Sequence, residues 1–163
     1  MKPFRARGDE VVASFDRAEA GVLGLLLDQL EQLLDDDDPG GDPVLARLLP
    51  EGHRGDPRLA ADYRDMTESA LRGGKADDLA TVRATLPAHG GRVRLDREQA
   101  GGWLRTTNDL RLALGVRLDI TEDTEPPEDL AGEESHQLAV YYWLTAVQGS
   151  LVDALVAGRP GRA

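Results

Sequence analysis

The chain has 163 residues, no cysteine and a formal net charge of −11. This length suits one domain that builds a core without metal or disulfide staples. The lack of cysteine excludes disulfides, thiolate nucleophiles and a thiol redox switch within the chain. The sequence has no secretion-like leader and no apolar run of membrane-spanning length, so we expect a cytoplasmic protein with a single helical domain over residues 1–163.

The negative charge is concentrated in two segments, which we predict to be acidic loops. Residues 35–42 contain five aspartates, and residues 119–134 contain eight acidic residues without a cation. Non-specific DNA binding depends on Lys and Arg that neutralise phosphates, so the overall acidity argues against direct nucleic-acid binding. An arginine-rich stretch, residues 83–117, leaves DNA binding as a less favoured alternative.

The N-terminal segment predicts a β-hairpin followed by a helix. Phe4 to Phe15 contains β-forming residues around a Gly-Asp turn. Asp16 and Glu19 have the spacing of a capping box, in which each side chain accepts a backbone N–H of the other residue. The leucine-rich helix that begins there is predicted to end at the aspartate run, before Pro39-Gly40-Gly41.

The middle of the chain predicts several shorter helices. Asp42-Pro43 starts a helix that Pro50 ends, and Asp56-Pro57 starts another that runs to about Arg72. Gly73-Gly74 predicts a helix break, after which Lys75 to Leu86 is helical again.

The last third predicts a strand and two long helices. Residues 92–95 alternate polar and apolar side chains, which indicates a third short strand beside the hairpin. A second capping box, Asp96 with Gln99, opens a helix to about Leu118, and the last helix covers Ser135 to Val156. The predicted fold is therefore mainly α: a compact bundle of five or six helices with a small N-terminal β-hairpin.

The sequence carries no recognisable catalytic or metal-binding motif. His53, His89 and His136 are scattered without metal-ligand spacing, and no nucleophile elbow or phosphate loop is present. A calcium loop counted from Asp35 places Ala46 where a bidentate glutamate is required. We predict a non-enzymatic protein with no catalytic residue, metal or cofactor. A cryptic hydrolase built on His53 or His136 is the enzymatic alternative.

One polar ridge on the fifth predicted helix stands out. Asn108, Arg111 and Gly115 share one helical face beside the apolar stripe, so Arg111 should be half-buried and need a planar partner. The first interpretation is a salt bridge to an acid of the Asp56–Arg72 helix, such as Asp62, Asp65 or Glu68. The second is that the guanidinium binds a carboxylate of a partner protein or a small anion.

An aromatic concentration lies at Tyr141-Tyr142-Trp143. Three consecutive side chains cannot all face one core, so at least one ring should lie near the surface, where aromatic residues anchor interfaces. The competing interpretation is that Trp143 covers a seam between helices. The last helix is apolar on most sides, which makes homodimerisation a further expectation.

The order of several segments resembles a known family. Asp42–Pro50, Trp103-Leu104, Asn108–Leu118, Tyr142–Thr145 and Gln148–Leu151 are similar to the actinobacterial family catalogued as domain of unknown function 2017. The resemblance implies an all-helical, non-enzymatic protein encoded near the Clp adaptor ClpS. Some members are described as oxidative-stress regulators of the AosR type, which sense oxidants through paired cysteines and act with an alternative sigma factor. This chain departs from that pattern because it has no cysteine.

Together these observations favour a regulatory protein of transcription or the stress response that acts by protein–protein interaction. A sigma factor or a Clp-system component is the partner that the resemblance implies. A helical domain that senses a small ligand is the main alternative. The residues predicted to bind the partner are Arg47, Asn108, Arg111, Arg117, Tyr142 and Trp143.

Overall fold

A computed structural model describes residues 1–35, 43–49, 57–129 and 131–158, with the side chains of 57–65 and 67 outside that description. The fold is mainly α, as predicted, with five helices and one small sheet in the described ranges. The strands are β1 (Lys2–Arg7), β2 (Glu10–Phe15) and β3 (Gly91–Leu95), and the helices are α1 (Arg17–Leu34), α2 (Pro43–Leu48), α3 (Pro57–Thr85), α4 (Arg97–Arg117) and α5 (Glu133–Ala157).

The three strands form one antiparallel sheet in the order β1-β2-β3. Gly8 adopts a φ of 61° in the hairpin turn, a conformation that glycine accepts without steric cost. Val11 pairs with Ala6 on one side and with Leu95 on the other, so β2 is the central strand. Both the hairpin and the third strand are confirmed.

Both predicted capping boxes are present and fix where α1 and α4 begin. Asp16 Oδ1 accepts from the Glu19 N–H at 2.8 Å, and Glu19 Oε1 accepts from the Asp16 N–H at 2.8 Å. Asp96 and Gln99 exchange the equivalent bonds at 2.7 and 2.9 Å. The hydrogen bond from the Glu19 amide lowers the pKa of the Asp16 carboxyl. Each box follows a strand directly, so the sheet and these helices are joined without a loop.

The predicted helix break at Gly73-Gly74 is wrong, because α3 continues through it from Pro57 to Thr85. Each helical glycine costs roughly 1 kcal/mol relative to alanine, but tertiary packing overrides so small a term. The second half of α3 is held in place by the buried Leu79 and Val82 and by the Lys75–Asp109 ion pair to α4.

The last helix begins at Glu133, two residues earlier than predicted, so the acidic loop before it covers residues 119–132, of which Leu130 is not described. Asp35, the first residue of the other acidic segment, closes α1 by donating its N–H to the Glu31 carbonyl. The remainder of segment 35–42 lies outside the described residues, as do Pro50 and Asp56.

The core joins the inner face of the sheet to α4 and α5. Phe4 and Phe15 pack against Trp103, with ring centroids 5.4 and 5.8 Å away. From α5, Leu144, Val147 and Leu151 are fully buried in the same cluster. No helix within the described ranges combines the length and hydropathy needed to cross a bilayer.

Candidate functional site

The candidate site forms where α4 ends. The Ile120 N–H donates to the Gly115 carbonyl at 2.9 Å, and the Asp119 N–H donates to the Val116 carbonyl at 3.2 Å. This pair of bonds is the Schellman motif, which needs a left-handed residue at the first position after the helix cap. Asp119 supplies it with a φ of 54°. The chain therefore turns sharply and leaves the last turn of α4 open on one side.

Arg111 lies nearly two turns before this end and is half-buried, as predicted. Its Nη1 donates to Gln148 Oε1 on α5 at 2.8 Å, and its Cζ lies 5.8 Å from the centroid of the Tyr141 ring. The Gln148 amide in turn donates to Asn108 Oδ1 at 3.3 Å. A neutral amide and an aromatic face therefore orient the guanidinium without cancelling its charge.

Beside Arg111 lies an open groove of about 630 Å³ between α2, the end of α4 and α5. We call it the arginine groove, and its lining includes Arg47, Arg111, Gly115, Asp119, Ile120 and Tyr141. Arg47 is exposed, and no hydrogen bond or ion pair engages it in the part of the chain that the structure describes. Asp119 contributes one carboxylate to the lining, so the two arginines exceed it by one positive charge.

Glycine at position 115 keeps the groove open next to the ring. A Cβ there would lie 3.3 Å from Tyr141 Cε2, closer than ordinary van der Waals contact. Tyr141 therefore packs against the backbone of α4 while its face remains beside the Arg111 guanidinium. This arrangement leaves a positively charged, partly apolar recess suited to a carboxylate-bearing side chain.

The predicted binding residues do not all meet in this groove. Arg47 and Arg111 line it, and Asn108 supports it from behind through Gln148. Arg117 instead reaches Gln29 of α1, with its Nη1 3.3 Å from Gln29 Oε1.

The two predicted aromatic residues also lie elsewhere. The Tyr142 hydroxyl donates to the Thr124 carbonyl at 2.9 Å, which ties the acidic loop to α5. Trp143 packs edge-on against Phe15, with centroids 6.2 Å apart, and is half-buried against the core. Trp143 therefore packs between α5 and the sheet, whereas the competing interpretation placed it over a seam between helices. The role of both residues in binding stays a prediction.

Tyr141 was named in the aromatic concentration but not among the predicted binding residues, and Gln148 was given no role at the site. The signal was present, because residues 141 and 148 are seven apart and lie on the same face of a helix two turns away from each other. What the sequence does not reveal is that this face packs on the ridge of Arg111, since the two helices are joined by a long loop.

The predicted salt bridge between Arg111 and Glu68 is wrong. Glu68 accepts instead from Arg72, four residues away on the same helix, at 3.1 Å. The reason is geometric. α3 packs on the side of α4 that carries Asp109. Arg111 follows Asp109 by two residues, so its side chain is rotated from that of Asp109 by about 200° around the helix axis. The side chains of Asp62 and Asp65 lie outside the described residues.

The α3–α4 interface contains a buried ion pair. Lys75 Nζ donates to both oxygens of Asp109, each at 2.8 Å, and the Asp109 side chain is 8% exposed. Burial raises the pKa of Asp109 and exceeds the opposing effect of Lys75. This pair fixes how the two helices meet and lies away from the arginine groove.

The arginines of residues 83–117 do not form one DNA-binding patch. Arg83 bonds Asp28 and Glu31, and Arg105 forms a two-bond pair with Asp78. Arg97 donates to the Leu155 carbonyl. These three arginines are therefore engaged by other groups of the chain, two of them by acids.

The two histidines that the structure describes are both exposed. His89 is exposed in the turn before β3, His136 is exposed in the first turns of α5, and His53 lies outside the described residues. Among the residues that the structure describes, no cluster of three or more His, Asp or Glu side chains is placed to hold a metal ion.

Comparison with known proteins gives a consistent result. Proteins named "Oxidative stress regulator AosR" from Mycobacterium tuberculosis and Mycobacterium bovis are 38% identical over 136 residues, which covers 73% of this chain and 61% of each relative. The "Putative oxidative stress regulator AosR" of Mycobacterium leprae is 38% identical over 131 residues, covering 71% of this chain and 59% of the relative. The chain thus spans about three fifths of the length of these relatives. No solved structure matches it. The family model described as "Domain of unknown function (DUF2017)" matches residues 1–155, and the chain therefore belongs to this family.

Proposed function

We propose that this protein is a non-enzymatic regulator that acts by binding another protein, and that the arginine groove is its contact surface. The observation that carries the proposal is the Arg111 guanidinium, which Gln148 and Tyr141 orient at a recess without neutralising it. A carboxylate of a partner would complete the planar pairing that a guanidinium favours. The exposed Arg47 provides a second cation at the rim of the same groove.

The names of the relatives support a place in the stress response or its transcriptional control. Since this chain has no cysteine, it cannot detect oxidants through a thiol of its own. We therefore assign it the role of a binding component whose signal comes from elsewhere, with a sigma factor or a Clp-system protein as the partner class to test first.

The test is site-specific photocrosslinking in the host cell. A photoreactive amino acid replaces Ala46, an exposed residue that lines the groove, and a control replaces Leu25, which is 60% exposed on α1. We expect a defined adduct with one host protein from position 46 and not from position 25.

Two substitutions then connect the adduct to the guanidiniums. Arg111→Met keeps the apolar stem and removes the charge, and Arg47→Glu reverses the charge at the rim. Both should abolish the adduct, whereas Arg17→Glu, at an exposed position on α1, should not. An adduct that survives both groove variants, or no adduct above the Leu25 control, contradicts the proposal.

The size of the groove favours a small-ligand sensor as the second candidate. Its volume of about 630 Å³ lies within the range of ligand pockets, roughly 300–1,000 Å³, whereas the cavity between α1 and α4 is about 20 Å³. Small dicarboxylates are the matching ligands for two arginines. A concentration-dependent rise in Tm with such a compound, lost in Arg111→Met, would favour this candidate over a protein partner.

A further inference from the structure

The outer face of the sheet carries four arginines that no sequence segment groups together. Side chains of paired residues share a face, and Val12 of β2 pairs with Arg5 of β1 on one side and with Arg94 of β3 on the other. Arg7 and Arg92 lie two residues from these and therefore point the same way. We call this set, Arg5, Arg7, Arg92 and Arg94, the arginine face.

The arginine stems cover an apolar centre on this outer face. Val12 is 2% exposed although it points away from the core that Val11, Ala13 and Phe15 help to form. Its two cross-strand neighbours are arginines, whose aliphatic stems shield it while their guanidiniums reach solvent. The positive charges of these arginines thus surround an apolar residue at the centre of the face.

These four guanidiniums are unpaired in the described part of the chain. No hydrogen bond or ion pair there engages them, whereas Arg83 and Arg105 each have acidic partners. The face holds one acid, Glu10, opposite Arg7. Desolvation, followed by the charges of Arg94, Arg7 and Arg5, lowers the pKa of Arg92. Like charges kept this close repel one another, and an anionic ligand would relieve that repulsion.

The spacing of the arginines fits an extended chain. Alternate residues of a strand are about 6.6 Å apart, and the β1 and β3 rows lie two strand spacings, about 9.5 Å, apart. An extended peptide has the same 6.6 Å repeat and projects successive side chains to opposite sides. We propose that the arginine face binds an extended acidic segment of a partner protein, which lies along β2 with its carboxylates alternating between the two arginine rows.

The composition of the face favours a peptide over nucleic acid. Single-stranded nucleic acid binds on aromatic side chains that stack with bases, and the outer face presents charged residues, Val12 and Ser14 instead. The site is distinct from the arginine groove, because α4 begins beside the sheet at Arg97 and reaches the groove at Arg111, about 20 Å further along the helix.

The test measures binding of a fluorescent octapeptide with four consecutive glutamates to the full-length chain by anisotropy. The matched peptide has glutamine in place of glutamate. We expect saturable binding of the glutamate peptide, weakened by added salt, and no binding of the glutamine peptide. Absence of glutamate-peptide binding at low salt overturns the proposal.

Substitutions on the arginine face test whether the peptide binds there. Arg5→Gln combined with Arg94→Gln should weaken binding by about fivefold to tenfold, as the loss of two exposed ion pairs predicts. Arg5→Lys combined with Arg94→Lys keeps both charges and should retain most of the affinity, and Arg17→Gln on α1 should leave it unchanged. A Gln double variant that binds as tightly as the parent chain, with the fold verified by circular dichroism, refutes the assignment.

Two further experiments test whether the arginine face binds a different kind of ligand. A 12-base-pair DNA duplex that binds more tightly than the peptide, and loses affinity in the Gln double variant, would reassign the face to nucleic acid. Sedimentation that shows self-association abolished by the same variant, without peptide binding, would reassign it to a second copy of the chain. Either outcome contradicts the proposed acidic partner segment.

Discussion

The buried Lys75–Asp109 pair gives an asymmetric prediction for two substitutions that each remove one partner. Lys75→Met leaves the Asp109 carboxylate, 8% exposed, without its cation. Breaking a buried pair in this way costs roughly 3–5 kcal/mol. Because Lys75 is 19% exposed and Asp109 can take up a proton, we expect the lower end, about 3 kcal/mol, for this variant at pH 7.

Asp109→Asn should cost much less, about 1 kcal/mol. Burial raises the pKa of Asp109 even with Lys75 in place, so the site holds a carboxylate less favourably than water does. The remaining Lys75 ammonium can reach water along its flexible stem. The double variant Lys75→Met with Asp109→Leu should recover most of the loss, since replacing a whole buried pair with apolar residues is often neutral.

The raised pKa of Asp109 also predicts how the stability of the chain changes with pH. A raised pKa means that the folded state binds this proton more tightly than the unfolded state does. The contribution of Asp109 is therefore most favourable below its ordinary value of 3.8 and declines as pH rises through the folded pKa. Lys75→Met removes the nearby cation and raises that pKa further, so the deficit of this variant should shrink between pH 7 and pH 5.

Urea unfolding of the parent chain and the three variants, followed by circular dichroism at several pH values, measures these differences. Two results would refute the reasoning. One is an Asp109→Asn loss as large as that of Lys75→Met. The other is a Lys75→Met deficit that stays constant on acidification.

Further predictions concern backbone and hydroxyl positions, and each is checked by the same unfolding free energy in urea. Gly74→Ala should stabilise the chain by about 1 kcal/mol, because nothing lies within 4 Å of the added Cβ in the middle of α3; a loss would argue for a real break there. Gly90→Ala should cost about 2–3 kcal/mol, because φ is 87° and the Cβ would lie 2.7 Å from the Arg17 nitrogen; a neutral result would show that this turn can shift. Asp96→Ala should cost about 1 kcal/mol through loss of the capping box, whereas Asp96→Asn should be nearly neutral. Thr106→Val should stabilise the chain by at most about 1 kcal/mol, because the buried Thr106 hydroxyl has no partner in the described part of the chain. Destabilisation would indicate that the hydroxyl does have one.

The sequence predicted local features of the fold best where a few neighbouring residues decide the conformation. The capping boxes at Asp16 and Asp96 depend on a partner three residues away, and both are present. Gly73-Gly74 misled the prediction because the penalty of glycine is local, whereas what holds α3 together is its distant contact with α4. The packing of α3 on α4 therefore outweighed the low helix propensity of the two glycines, and the sequence pattern does not show this packing.

The candidate site was predicted less completely for the same reason. The half-buried position of Arg111 follows from helical periodicity, but its partners Gln148 and Tyr141 lie across a long loop. The arginine face is the clearest case, because Arg5 and Arg94 become neighbours through strand pairing with Val12 between them. Counting charges along the sequence does not reveal that these two residues are neighbours in the fold.

The large sequence separation between the hairpin and the elements that it contacts has a consequence for synthesis. β2 lacks its second neighbour until β3 has been made, and the Phe4 N–H donates to Ser150 Oγ, 146 positions later. At about 5–20 residues per second, a ribosome needs roughly ten seconds or more to make that intervening length. During this time the apolar underside of the hairpin lacks its contacts with α5, so native docking of the first strand completes only after α5 has been made.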